Sequence, residues 1–230
     1  MLKKDLILRS PVSKTIGIEN LKSGRFGAVL SRAGVGKTSF LVQIALTRLL
    51  NNEKILHISL DDSIEKINLR YNEGYTNLVD SIGYVDPQKA VEAWESISQD
   101  KVAISYTETT FDTKKIRDYL VSFRTADLEL PAIMVIDGLD FDAQVSDILD
   151  DFEKLNRDFS IPVWFSMRTH REEKLCEDGF PVQLENYADR FDKAVYLQPV
   201  QDKIEIVILK DSDRTNQVFT LDPATMMITE

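Results

Sequence analysis

The sequence predicts an α/β domain with a mostly parallel central sheet, flanking helices and an antiparallel edge hairpin near the C-terminus. Short apolar runs alternate with segments of helical periodicity, which is the pattern of strands joined by helices. The run at 132–137 is apolar on both faces, as a central parallel strand must be. The runs at 194–200 and 203–210 are separated by only two residues, and they predict the hairpin.

The first half of the chain predicts three strands, at 26–31, 54–60 and 101–107. Helices are expected at 37–50, where one apolar face turns to the sheet, and at 63–71. Further helices follow Asp-Pro and Asp-Thr steps. Residues that cap helix N-termini through a side-chain oxygen mark the starts, namely Ser63, Asp86 before Pro87, and Asp112.

The second half predicts the central strand at 132–137 and a further strand at 161–167. Between them, 142–159 has the spacing of an amphipathic helix, whose aspartates are expected to face solvent. The C-terminal hairpin and a short extended ending complete the sheet. No repeat, low-complexity tract or linker-like segment interrupts the pattern, so we expect one domain over 1–230.

Composition places the chain among globular proteins, because 43% of its 230 residues are apolar and 29% are charged. No apolar stretch approaches the ~20 residues that span a bilayer. The single cysteine, Cys176, excludes an internal disulfide, and we expect a cytoplasmic protein. Two histidines and no cysteine pair give no zinc pattern.

The net charge of −10 argues against nucleic acid as the main partner. Affinity for DNA or RNA rests largely on Lys and Arg side chains that pair with phosphates. The sequence has no long basic strip that would offset the acidic balance.

The loop between the first strand and the helix at 37–50 fits the phosphate-loop pattern Gly-x-x-x-x-Gly-Lys-Ser/Thr, except that Ser31 replaces the first glycine. Gly34 and Gly36 let successive backbone N–H groups point inward as an anion nest. The N-terminus of the next helix adds a partial positive charge. The expected phosphate-binding residues are Arg32, Ala33, Gly34, Val35, Gly36, Lys37, Thr38 and Ser39.

Two kinds of carboxylate are expected to complete this site. Asp137 ends the central strand and is the candidate acid for the water shell of Mg²⁺, with the Thr38 hydroxyl as the other metal oxygen. Hydrolysis also needs a group that orients the attacking water. Asp61 and Asp62 follow the second strand and are the candidates, with a helix-cap role as the alternative for either.

The chain resembles the RecA-like ATPases, in particular the DnaB helicase motor domain and its KaiC-like relatives. SRAGVGKTSFLVQIA resembles their phosphate loop, and SLDDSIEKINLR is similar to the DnaB pattern S-L-E-M-S-x-E-Q-L-x-x-R. VIDGLD is similar to V-I-D-Y-L-Q, and IPVWFSMR to V-P-V-I-A-L-S-Q. ENYADRFDKAVYL and KIEIVILKDSDR are similar to the last segments of the family, so the resemblance covers nearly the whole chain in order.

The resemblance implies a RecA-like P-loop core that binds ATP and Mg²⁺ at the boundary of a head-to-tail homo-oligomer, such as a dimer or a hexameric ring. Lys37, Thr38 and Asp137 keep the roles argued above. Asp61 matches the family's catalytic glutamate, and Lys210 with Arg214 would be the cations that act on a neighbouring subunit.

Three departures from the family pattern bear on activity. Asp61 is one methylene shorter than glutamate, and Met167 replaces the glutamine after the sensor strand, next to Arg168. The family's Lys-x-Arg becomes Lys210-x-x-x-Arg214, so charges on an exposed edge hairpin are the alternative for both residues. The acidic segment after Asp137 and the 25 residues before the first strand do not fit a replicative helicase.

Three functions therefore stay open. The leading hypothesis is a slowly hydrolysing ATPase with a regulatory or assembly role and a protein partner that the sequence does not identify. The second is a non-hydrolysing ATP-dependent switch or scaffold. The third is a DNA-associated motor or recombination accessory, against which the charge balance argues.

Overall fold

A computed structural model describes residues 2–16, 21–170, 175–176, 179–211 and 219–229. Within these ranges the strands are β1 Phe26–Ser31, β2 Ile55–Ser59, β3 Lys101–Ser105, β4 Ile133–Asp137, β5 Val163–Arg168, β6 Phe191–Val200, β7 Lys203–Lys210 and β8 Phe219–Leu221. The helices are α1 Leu2–Arg9, α2 Pro11–Thr15, α3 Lys37–Leu50, α4 Ile64–Asp80, α5 Pro87–Ser98, α6 Thr113–Thr125, α7 Ser146–Phe159 and α8 Val182–Glu185, followed by a 3₁₀ turn at Ala188–Arg190.

The strands form one sheet in the order β3-β2-β4-β5-β1-β6-β7-β8. The first six of these positions are joined by parallel pairing, and β7 and β8 add antiparallel strands at one edge. The predicted fold class and the predicted edge hairpin are both confirmed. Because the carboxyl ends of parallel strands share one edge, the loops that follow β1, β2, β4 and β5 come together there.

Two apolar layers cover the sheet. On one face the core includes residues of α1, α2, α3, α4 and α5, and on the other it includes residues of α6, α7 and α8. Successive residues of β1 alternate between the layers, with Val29 in the first and Ala28 and Leu30 in the second, as the strand pleat requires.

The helix that follows the phosphate loop is enclosed. We expected one apolar face on α3, yet its residues from Phe40 to Thr47, and Leu49 and Leu50, are all buried. The cause is a second layer of helices, since α1 and α2 pack on the side of α3 away from the sheet. Neither N-terminal helix was predicted from the sequence.

The helix starts that capping residues predicted are confirmed. Ser63, Asp86 and Asp112 accept from the backbone N–H of Lys66, Gln88 and Lys114, respectively. Helix α4 runs nine residues past its predicted end at 71, because Tyr71, Tyr75 and Leu78 continue the buried face. Gly74 allows the close approach of α3, since a Cβ there would lie 3.1 Å from Leu46 Cδ1. Helix α7 begins at Ser146 instead of 142.

None of the helices in the described ranges combines the length and the apolar character needed to cross a membrane.

Candidate nucleotide site

The phosphate loop leaves the end of β1 and enters α3 with the backbone conformation that the glycines predicted. Gly34 has φ 79° and Gly36, the residue before the helix, has φ 117°. Residues with a Cβ rarely adopt these angles, so glycine is needed at both positions. The amide groups of the first turn of α3 are therefore free to bind an anion.

Ser31 fits the loop although the usual residue is glycine. Its φ is not positive, so no glycine is required by the backbone. The Ser31 hydroxyl donates to the carbonyl oxygen of Arg32 at 2.9 Å, and its own carbonyl accepts from the Thr169 amide at 3.0 Å. The backbone at Ser31 thus ties the start of the loop to the residue after β5, and the serine hydroxyl adds a bond within the loop.

The two oxygens expected to bind metal lie side by side. Thr38 is in the first turn of α3, and its hydroxyl donates to Asp137 Oδ2 at the end of β4, at 2.7 Å. A hydroxyl and a carboxylate are the hard oxygen donors that Mg²⁺ prefers, and this ion usually keeps waters and substrate phosphates as its other ligands. The pair therefore fits a Mg²⁺–nucleotide site. In the described ranges, no group of three or more His, Cys, Asp or Glu side chains is arranged to hold a metal by itself.

Lys37 lies across the loop. Its Nζ donates to the Arg32 carbonyl oxygen at 3.3 Å. Burial lowers the pKa of Lys37 below its usual value, and nearby Arg168 lowers it further, whereas Asp137 and Asp61 oppose the shift. A phosphate anion beside this ammonium group would favour its charged form, because an opposite charge at close range stabilises it.

The structure distinguishes the two carboxylates after β2. Asp62 is buried and pairs with Lys66, four residues along α4, at 2.5 Å. Asp61 is exposed and lines the cavity that also contains Lys37 and Asp137. Ser59 Oγ accepts from the amides of both, at 3.2 Å from Asp61 and 2.9 Å from Asp62, and so fixes the turn that holds them apart.

Asp61 is held against the segment that follows the metal acid. A Cβ on Gly138 would lie 2.6 Å from Asp61 Oδ2, so only glycine permits this approach. Partial burial raises the pKa of the Asp61 carboxyl, and the like charges of Asp137 and Asp62 raise it further. Of the two carboxylates, Asp61 is therefore the one that faces the cavity of Lys37 and Asp137.

The cavity has a volume of about 420 Å³ and is rich in carboxylates. Besides the expected residues it is lined by Glu108, Asp140 and Asp142, which sequence reasoning missed. Asp142 is held in place by Gln183 Nε2 at 2.7 Å and His170 Nε2 at 2.6 Å. Glu108 follows β3, and Asp140 and Asp142 follow β4, so all three lie at the carboxyl edge of the sheet. That position was the signal that could have identified them.

The departure at the sensor strand has a structural consequence. Met167 is fully buried and belongs to the core. Its neighbour Arg168 is exposed and lines the carboxylate cavity. Arg168 also lines a second cavity of about 480 Å³ beside the loop, together with Arg32, Val35 and Pro199. At the end of β5, Arg168 thus reaches the cavity, whereas Met167, at the position of the family's glutamine, does not.

Lys210, one of the two cations expected to act on a neighbouring subunit, is not among the residues that line this cavity. Lys210 ends β7 and its Nζ donates to the Ala188 carbonyl oxygen at 2.6 Å. It lines a separate cavity with Arg190. Arg214 lies outside the described residues.

Comparison with known proteins gives one informative result. No protein-family model and no curated protein matches this sequence. One similar solved structure is an ATPase domain of the DnaB helicase class, with a TM-score of 0.64 over 91% of this chain and 86% of that chain, at 16% identity. At this identity the likeness concerns the fold. The chain therefore has a RecA-like P-loop ATPase fold, as the sequence predicted.

Proposed function

We propose that the protein binds Mg-ATP and hydrolyses it slowly, as a RecA-like ATPase with a regulatory or assembly role in a head-to-tail homo-oligomer. The observation that supports this most directly is the 2.7 Å contact of Thr38 with Asp137 at the N-terminus of α3. It joins a metal-binding pair to a loop whose backbone suits phosphate. Lys37 lies beside both.

The residues divide the work of binding. The amides of the loop and the N-terminus of α3 hold the phosphates, and Lys37 leaves the Arg32 carbonyl to contact the terminal phosphate oxygens. Thr38 and Asp137 hold Mg²⁺, which when bound neutralises charge on the phosphate oxygens. The second cavity, with Arg32 and Pro199, has the size for the nucleoside.

Nucleotide binding is expected to depend on the metal. Five carboxylates line the cavity next to Lys37, from Asp61, Glu108, Asp137, Asp140 and Asp142, against the two cations of Lys37 and Arg168. Free ATP would bring more negative charge into this field. A divalent cation offsets two of these negative charges next to the phosphates, so Mg-ATP is the form that fits.

Asp61 orients the attacking water and accepts its proton, and its geometry explains why turnover is slow. The aspartate is one methylene shorter than the glutamate of the resembling family. Misplacement by about 1 Å can cost ~10² in rate. The carboxylate cannot move toward Gly138, which it already contacts.

A cation from a neighbouring subunit completes the site in this proposal. Lys210 pairs with Ala194, which lies beside Ala28 of β1. Measured along the strands, Lys210 is therefore about 10 Å from the level of the end of β1. Measured across the sheet, it lies two strand spacings, about 10 Å, from β1. Lys210 therefore serves the site of another copy better than its own, which favours a head-to-tail arrangement.

A second candidate is a nucleotide-dependent switch that does not hydrolyse ATP. The short Asp61 side chain and the buried Met167 favour it, because both remove parts that act on the attacking water or the terminal phosphate. Binding uses Lys37, Thr38 and Asp137 in either case. A DNA-associated motor is disfavoured, since Asp140 and Asp142 would repel phosphates next to the site.

The test is Mg-ATP binding by calorimetry and phosphate release over a range of protein concentrations. We expect turnover per chain to rise with concentration, binding to vanish in Lys37→Ala, and turnover but not binding to vanish in Asp61→Asn. Lys66→Ala is the matched control, because Lys66 pairs with Asp62 outside the cavity. Binding without turnover in the unmodified protein would establish the switch, and absence of binding would refute both candidates.

A further inference from the structure

We propose that Met226 is a positioning residue for the phosphate loop. It lies in a C-terminal turn, residues 222–227, which packs behind the loop and holds it in the conformation that binds phosphate. This inference rests on the proposed nucleotide binding but assigns a role to a segment far from the motif in sequence.

The contact is with the glycine just before Lys37. A Cβ on Gly36 would lie 2.7 Å from both Sδ and Cε of Met226, so the thioether is in direct contact with the loop backbone. Met226 is 5% exposed and is not among the residues that line either cavity at the loop. The side chain therefore supports Gly36 from the protein side and leaves the ligand side open.

Hydrogen bonds within the turn, and one to helix α4, hold the turn in place. The Met226 amide donates to the Asp222 carbonyl oxygen at 2.7 Å, and the Asp222 amide donates to the Met227 carbonyl oxygen at 2.9 Å. Thr225 Oγ1 donates to Asp222 Oδ2 at 2.9 Å. The Thr225 carbonyl accepts from Asn77 of α4 at 3.1 Å. Met226 thus projects from a fixed base.

The backbone of Met226 indicates that its side chain is needed. Its φ is 58°, in the left-handed region where glycine and asparagine are favoured. A strained residue persists only where its surroundings hold it, and such residues concentrate at functional positions. Methionine suits the place, because its unbranched thioether fills an irregular gap against a bare backbone.

Support of Gly36 should act on affinity. The loop must present its amides at fixed positions, and Gly36 lacks a Cβ that would restrict its backbone. Without Met226 the ligand would have to order this residue on binding. Fixing one residue's backbone corresponds to a loss of affinity of roughly tenfold.

The experiment compares Met226→Gly and Met226→Asn with Met227→Ala. Glycine and asparagine suit the left-handed backbone, so these two variants keep the turn but lose the contact with Gly36. Because Met226 is buried, they also lose packing, and their thermal midpoints should fall. Met227 is also buried and contacts Gln43 at 3.8 Å through its sulfur, so its truncation costs stability without touching the loop. Each variant is measured for the Kd of Mg-ATP and for the thermal midpoint without nucleotide.

We expect Kd to rise roughly tenfold in both Met226 variants, by the ordering argument above. Met227→Ala should also lower the midpoint, because Met227 is buried, but it should leave Kd unchanged, and Met226→Leu should restore most of the affinity. Unchanged Kd in Met226→Gly and Met226→Asn, or an equal change in Met227→Ala, would overturn the proposal. Failure of the unmodified protein to bind would instead refute the proposed function.

Discussion

Replacement of Gly138 by alanine tests whether the position of Asp61 controls turnover. The new Cβ would lie 2.6 Å from Asp61 Oδ2, whereas ordinary contact begins at 3.4 Å. The carboxylate must therefore move by about 0.8 Å. Since Asp61 is exposed and its carboxylate is the end of a side chain, it can rotate away at little cost to folding.

The expected loss in kcat is on the order of 10- to 100-fold, because a displacement of about 1 Å can cost ~10². Gly138 also has φ 86°, so alanine adds backbone strain of about 1–2 kcal/mol. Gly83→Ala separates the two effects. Gly83 has φ 93° and nothing within 4 Å of its Cβ position, so that variant has the strain alone.

Phosphate release at saturating Mg-ATP gives kcat, and thermal unfolding gives the stability of both variants. Similar midpoints, with a loss of kcat only in Gly138→Ala, would support the placement of Asp61 at the attacking water. Equal kcat in Gly138→Ala and Gly83→Ala would refute that placement, because the carboxylate would have moved without effect on the reaction.

Three further outcomes follow from burial and charge. Turnover should fall as pH falls through the pKa of Asp61, and the acid limb of the rate profile should lie above the ordinary value of 3.8, because burial and neighbouring carboxylates raise that pKa. Burial lowers the pKa of His57 to about 4 from 6.5. Below pH 6.5 the unfolded chain therefore binds a proton at His57, whereas the folded chain binds it only near pH 4, so the unmodified protein loses stability as the pH falls. His57→Gln lacks this group. Between pH 7 and 5 its free energy of unfolding, measured by denaturant titration, should therefore fall by about 2 kcal/mol less than that of the unmodified protein. Gly27→Ala should lower the thermal midpoint sharply, by about 3 kcal/mol or more in stability, since its Cβ would lie 2.3 Å from the Trp164 ring; a midpoint within a degree of the unmodified protein would contradict the packing.

Local sequence patterns predicted the parts of this protein that depend on neighbours along the chain. The alternation of apolar runs and helical periodicity gave the strands and their order of connection, and a short motif located Lys37 and Thr38. Asp137 was found because a polar residue ending a buried strand is conspicuous. These features are set within a few residues of each other, so periodicity and spacing suffice.

Features that depend on distant segments were not predicted. Helix α1 has two lysines and an aspartate among its apolar residues, and only its packing on α3 defines its buried side. Glu108 and Asp61 line the same cavity from two different loops. Met226 reaches Gly36 from the far end of the chain. The choice between Asp61 and Asp62 could have been made from the local sequence, because Lys66 lies four residues after Asp62, which is the spacing of a helical ion pair.

The enclosure of α3 makes the helix that follows the phosphate loop one of the most protected of the described elements. Beyond its first turn, a helix surrounded by the sheet and by α1, α2 and α4 has no route to open by itself, so the amide hydrogens of that part exchange with solvent only when the whole fold opens. A ligand held at its first turn stabilises the folded state as a unit. Hydrogen exchange would therefore record nucleotide binding as slower exchange throughout the central strands, far from the loop that makes the contact.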